Sequence, residues 1–211
     1  MRARLLLLVA FLVIATAILT GCSSQPPAKT VESKPAAEAK KQPVLYTAQE
    51  CLKRVEGQAR LWATDARPIH IESDLSSESL GHEGKSAVWR FMFVSAQRGA
   101  MGAFMCSGSL DATAPAYGLS QGMDIALPRE GNAFDSFLLK VDSDKAFQVA
   151  QGHGGEALLK KTPEQPVTYI VEMGRGQTVP QWFVIYGKNL KDNKGLGVIN
   201  ATTGAWVRAS R

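Results

Sequence analysis

Hydrophobic positions divide the chain into three regimes. Positions 5–19 form an almost unbroken apolar run, preceded by Arg2 and Arg4. Across 23–44 apolar character nearly vanishes: SSQPPAKTVESKPAAEAKKQPV is rich in Pro, Ala, Ser, Lys and Glu and holds no aromatic residue. From Leu45 onward apolar residues return with helical and strand periods over about 167 residues, enough for one sizeable core.

In this last part Thr47-Ala48-Gln49-Glu50 reads as a capping box, with the Thr47 hydroxyl on a free backbone N–H and Glu50 reaching back. Cys51, Val55, Ala59 and Trp62 then recur at helical spacing and predict a helix to about Ala63. Residues 69–72 alternate as a short strand, and a polar loop covers 73–85. Two strand-like runs follow, Val88–Ser95 and Ala100–Ser107, joined by a turn at Gln97-Arg98-Gly99. Residues 115–141, bearing Gly, Pro and Met, read as a long linker.

The same order then recurs. Ser143 or Asp144 can cap a helix through Ala146, Phe147, Val149, Ala150, Leu158 and Leu159, weakened at Gly152-His153-Gly154-Gly155. Strands at 167–173, Gln181–Gly187, 195–200 and around Trp206-Val207 complete it. Trp89-Arg90-Phe91-Met92-Phe93 matches Trp182-Phe183-Val184-Ile185-Tyr186, and Leu110-Asp111-Ala112-Thr113 matches Ile199-Asn200-Ala201-Thr202, at offsets of 93 and 89 residues. These matches point to a duplication, with halves at 45–114 and 142–211. In 182–186 both alternating faces are apolar, and a helix covers only one face of a small sheet. The other face needs a partner, and the other half of the chain is the nearest.

The N-terminal pattern resembles a bacterial lipoprotein signal. Leu19-Thr20-Gly21-Cys22 is a lipobox behind a positive n-region and an apolar run too short to span a bilayer comfortably. The resemblance implies cleavage before Cys22 and lipidation of its thiol and new amino group, by palmitate-type acyl chains that anchor the protein to a membrane. Residues 1–21 are then the signal peptide. Residues 22–44 are a disordered tether, reaching roughly 25 Å as a coil. Ser23, not Asp, follows the cysteine. By resemblance to Gram-negative lipoproteins the expected location is the cell envelope, on the outer membrane facing the periplasm.

The repeated unit resembles the PepSY family. The residues that carry this are Trp182-Phe183-Val184-Ile185-Tyr186, Gly197-Val198-Ile199-Asn200-Ala201-Thr202-Thr203-Gly204 and Trp206-Val207. The resemblance covers 142–211 and, more faintly, 47–112; it departs where Asn200 stands in place of the family's usual Asp. It implies an α+β fold of two similar halves, each a helix packed on a small antiparallel sheet. It also implies roles in protease propeptides and envelope proteins, without catalytic residues.

Composition narrows the chemistry. The formal charge of +5 falls to about +1 for the folded part, because Arg2 and Arg4 leave with the signal and the tether sets four Lys against two Glu. No basic patch with interleaved aromatics appears, so nucleic acid is not an expected partner. Besides Cys22 the cysteines are Cys51 and Cys106, either one disulfide or two buried thiols. A bridge would close a loop of about 55 residues and contribute roughly 4 kcal/mol.

His70, His82 and His153 show no metal-ligand spacing, no nucleophile elbow occurs, and no cofactor is expected. Trp182, Tyr186 and Phe91 are the candidate ligand or partner surface. The expected function is a membrane-anchored, non-catalytic envelope module binding an unidentified protein or peptide and modulating a protease. The alternative is a periplasmic carrier or sensor of a small apolar ligand, held in a pocket lined by the same three residues.

Overall fold

Helix α1 (Ala48–Trp62) starts at the expected capping box: Thr47 Oγ1 accepts from Glu50 N at 3.3 Å, and Glu50 Oε2 accepts from Thr47 N at 2.8 Å. In this computed structural model, which describes residues 41–127 and 132–210, helix α2 (Ser143–Ala150) starts earlier than either sequence candidate, Ser143 or Asp144 as cap, implies. Asp142 is its cap, accepting from Ser143 N at 2.7 Å. Ser143 serves the other helix instead. Its Oγ accepts from Ala48 N at 3.0 Å and donates to the Gly84 carbonyl at 2.6 Å, while Asp142 also accepts from Gln49 N at 3.0 Å. The two helix N-termini therefore meet, and side chains of one satisfy free N–H groups of the other. At the expected weak point α2 passes through a π-bulge (Gln151–Gly155), where Gly154 takes φ 108°, before helix α3 (Glu156–Lys161).

The strands are β1 (Arg67–Asp74), β2 (Val88–Ser95), β3 (Ala100–Ser107), β4 (Gly118–Gln121), β5 (Ile125–Ala126), β6 (Val167–Glu172), β7 (Gln181–Gly187), β8 (Asn193–Asn200) and β9 (Trp206–Ser210). All pairings are antiparallel, in the order β4-β3-β2-β1-β6-β7-β8-β9, with β5 also on β3. The class is α+β. The expected halves do not carry separate sheets: β1 and β6 join edge to edge, and the strand order mirrors itself about that junction.

Register corrects one sequence match. Cys106 pairs with Trp89, and Ile199 pairs with Trp182, so the counterpart of Ile199 is Cys106 rather than Leu110. The Trp89–Trp182 offset of 93 residues then holds for both strands. The two tryptophans also bond alike. Trp89 Nε1 donates to the Tyr46 carbonyl and Trp182 Nε1 to the Val141 carbonyl, both at 2.8 Å, and each acceptor immediately precedes a helix cap.

Both helices pack on one sheet face. Cys51, Leu52, Val55 and Ala59 of α1, with Ala146 and Ala150 of α2, meet Trp89, Phe91, Phe104, Tyr169, Trp182 and Val184 in one core. Cys51 and Cys106 are bonded across it as a disulfide with Cα atoms 5.7 Å apart. The stretch expected to be a linker is more than that. It supplies β4 and β5, bridges Asn132 to Met173, and places Phe134 in the core with its N–H on the Pro68 carbonyl at 2.9 Å.

Candidate functional site

Paired residues share a sheet face, so the rows opposite the helices follow from register. Met105, Arg90, Glu72, Ile170, Phe183 and Val198 make one row across β3, β2, β1, β6, β7 and β8. Met92, His70, Glu172 and Gln181 make the next. Among the described residues no helix lies on this side. Half-buried Met105, Ile170 and Phe183 thus flank a charged centre, while Val198 is fully buried. At the β3–β2–β1 end the 111–116 loop closes a groove of about 800 Å³, whose floor includes Asp74, Arg90, Val88 and Met105.

The charged centre is one connected network. His70 holds Glu72 through Nε2 at 3.2 Å and Glu172 through Nδ1 at 3.4 Å. Arg90 reaches Glu72 at 3.2 Å and Asp74 at 2.8 Å. Burial works against charge on His70, but bonds and charge from Glu172 and Glu72 outweigh it and push its pKa up to about 9. The His70 hydrogen bond holds Glu72 below the usual carboxylate range against the opposing effect of burial. Burial pushes Asp74 up, against the attraction of Arg90. At neutral pH two cations face three carboxylates, leaving one negative charge. Gln181 Oε1, beside Glu172, is buried and accepts no hydrogen bond among the described residues.

The residues singled out from sequence fall elsewhere. Phe91 and Trp182 are fully buried on the helix-covered face, and Tyr186 is 2% exposed there. They line no surface as a group, because the second and seventh strands turn their aromatic rows toward the helices. The helix-side pocket expected of a ligand carrier is filled by packing: Trp89, Tyr169 and Trp182 contact one another edge-on or tilted, with centroids 6.0–6.4 Å apart. Of the three, Tyr186 lines a cleft of about 340 Å³ beside the π-bulge. Burial pushes its pKa up to about 12, and its hydroxyl accepts from Gln151 Nε2 at 2.9 Å.

His82 contacts the Gln165 carbonyl at 3.0 Å, and His153 stacks on Trp206. Cys22 lies outside the described residues. The central network was missed in sequence, although His70, Glu72 and Asp74 at every second position carried its signal. Arg90 and Glu172 come from distant strands, and pairing alone brings them in.

Among the described residues no group of three or more His, Cys, Asp or Glu side chains is placed to hold a metal ion, and no helix is long and apolar enough to cross a membrane.

The fold and this face define an α+β protein with a half-covered antiparallel sheet. No family model matches the chain, and no curated protein matches it. A crystal structure of a candidate lipoprotein from Clostridium difficile 630 is similar over 75% of this chain and 91% of its own, at 10% identity and a TM-score of 0.43. A likeness of that strength bears on neither role nor origin.

Proposed function

We propose that this chain is a lipid-anchored cell-envelope protein whose folded part binds another protein or peptide without catalysis, through the uncovered sheet face. The observation that carries the reading is that face itself: apolar flanks around a network with one carboxylate in excess. A complementary surface brings apolar side chains and a Lys or Arg.

The mirrored strand order, the 93-residue offset and the paired tryptophan bonds support two halves of PepSY-like origin. By that resemblance the bound protein is a protease. The lipobox supports attachment through acylated Cys22 and placement on the outer membrane facing the periplasm. His70 offers no general base: both ring nitrogens are engaged and the ring is cationic at neutral pH, so it has no free lone pair. The packed helix-side core gives the apolar-ligand alternative no support.

The test places a photo-crosslinking amino acid at Met105 or Phe183 in the lipidated protein in its native envelope, with exposed Leu61 as the control position. The expected result is one protein adduct from both sheet positions, absent from Leu61, with the Phe183 adduct lost in Met105→Lys. Equal adducts from all three positions would overturn the reading. Cys22→Ser should abolish palmitate incorporation and release the protein from membranes; continued sedimentation with membranes would refute the anchor.

A further inference from the structure

The strands end on two opposite sides of the sheet, and the chain enters at one of them. Val44 N donates to the Gly108 carbonyl at 2.9 Å and Tyr46 bridges Ser86, so the folded part begins beside the end of β3 and the start of β2. Antiparallel pairing carries this entry side across the sheet: Asp74 pairs with Val88, Glu72 with Ile170, Val167 with Tyr186 and Gly187 with Asn193. The turn between β7 and β8 therefore lies on the entry side. It stands four strand spacings from β3, roughly 19 Å at about 4.8 Å each.

This turn carries a leucine at its tip. Leu190, in the run Lys188-Asn189-Leu190-Lys191, is 49% exposed. Asn189 Oδ1 accepts from Lys191 N at 2.8 Å and Asp192 N at 2.9 Å, and Asn193 Nδ2 donates to the Leu190 carbonyl at 2.9 Å. The tip thus satisfies its backbone from within and leaves half of the leucine in solvent. Helix α3 ends at the same corner. A Cβ at Gly195 would meet Leu158, and residues 162–166 lead from α3 into β6, where Thr168 Oγ1 donates to the Gly187 carbonyl at 3.1 Å. Lys161, Lys188, Lys191 and Lys194 gather there against Glu164 and Asp192, while Lys160 is held by Glu156 at 2.7 Å. Among the described residues none of those four lysines is in an ion pair. Toward the entry point the same side turns acidic, with Glu78, Glu83 and Asp111 against Lys85.

A basic turn with an exposed apolar tip suits an anionic phospholipid surface: ammonium groups meet lipid phosphates, and the leucine enters the boundary with the acyl chains. The place of entry argues for the same occupant. The sequence between Cys22 and Val44 reaches roughly 25 Å as a coil, comparable with the span from the entry point to the turn. Acylation at Cys22 therefore keeps the entry side within reach of the bilayer and makes even a weak second contact intramolecular.

We infer that the β7–β8 turn docks on anionic phospholipid, with Leu190 entering the bilayer and Lys188, Lys191 and Lys194 at the lipid phosphates. The entry side then faces the membrane, and the uncovered sheet face stands clear of it. This rests on the lipid-anchor reading and adds a second, non-covalent contact to it.

The test reconstitutes the full lipidated chain into vesicles of phosphatidylcholine with one quarter phosphatidylglycerol. Leu190→Cys carries an NBD fluorophore, and nitroxide-labelled lipid quenches it where it enters the bilayer. Leu61→Cys is the control: Leu61 is 89% exposed at the other end of α1, where Trp62 packs by Gly102 and accepts from Arg98 at the side opposite the entry. The expected result is quenching at position 190 at least about twofold stronger than at 61. It should fall by about half or more in phosphatidylcholine alone, in high salt, and when Lys188→Glu and Lys191→Glu are combined. Circular dichroism checks that the variants fold.

Equal quenching at the two positions, stronger quenching at 61, or indifference to phosphatidylglycerol would each overturn the inference. Flotation with the vesicles reads the anchor separately. Protein that floats without quenching at 190 removes the docking and leaves the anchor standing, whereas protein that does not float removes both.

Discussion

His70 makes stability depend on pH in an unusual direction for a partly buried histidine. Its ring is held by two carboxylates on adjacent strands and titrates at about 9 in the folded chain, against an ordinary value of 6.5. A group whose folded pKa is raised contributes stability that is fully present below its unfolded pKa and is lost as pH rises through the folded value. The window for loss is therefore between 6.5 and about 9. At about 1.36 kcal/mol per unit the shift corresponds to at most about 3.4 kcal/mol. The His70 side chain is 27% exposed but Glu172 is 44% exposed, so solvent screening brings the expected contribution nearer 1–2 kcal/mol.

Urea unfolding followed by tryptophan fluorescence, at about pH 6 and about pH 9.5, measures this directly. Wild type should lose about 1–2 kcal/mol more over that interval than His70→Gln, which removes the cation between Glu72 and Glu172 and leaves Glu72 to Arg90. Added salt should shrink the difference. The reasoning fails if both proteins show the same pH slope, or if the His70 ring proton resonances titrate near the ordinary histidine value.

Three further perturbations test the fold. Reducing Cys51–Cys106, or replacing both by serine, releases a loop closed over a sequence separation of 55 and should cost about 4 kcal/mol in denaturant unfolding. Alkylation of the unreduced folded part should meanwhile find neither thiol free. Trp89→Phe or Trp182→Phe leaves a carbonyl before a helix cap without its donor; each should cost about 1–3 kcal/mol, and the pair should be non-additive because the rings touch. Phe134→Ala should cost about 3–5 kcal/mol by thermal or urea unfolding, whereas a side chain in a mere linker would cost almost nothing.

Local signals in this chain were legible and long-range ones were not. The Thr47–Glu50 box, the glycine-weakened second helix and the strand positions follow from hydrogen-bonding chemistry and periodicity that act within a few residues. Which face each row of β2 and β7 presents depends on where the helices cross the sheet, and alternation alone does not say. Hence Phe91, Trp182 and Tyr186, which look like a recognition surface, are core. Ser143 was misassigned for a related reason: its best partner, Ala48 N, is 95 positions away, so its neighbours suggested a cap for its own helix. Phe134 and the β4–β5 edge look like linker in the sequence because Gly and Pro mark turns but do not exclude short strands between them.

Support of the sheet and the proposed recognition make different demands on the central network, and the two can be told apart. Between β1 and β6 only His70, Ile71 and Glu72 are paired, with Glu172, Val171 and Ile170. So short a junction gains from an ion pair across it, which accounts for His70 and Glu172. It does not account for Arg90, 41% exposed and shared between Glu72 and Asp74, nor for the carboxylate left in excess. A network that served the junction alone would need neither. Under the proposed binding, its charges would disfavour an unmatched hydrophobic surface, since covering them without a cation leaves a desolvated carboxylate. If the junction were the whole role, His70→Gln would lower stability while Met105→Lys left protein capture untouched. Loss of capture in Met105→Lys at unchanged stability separates recognition from support.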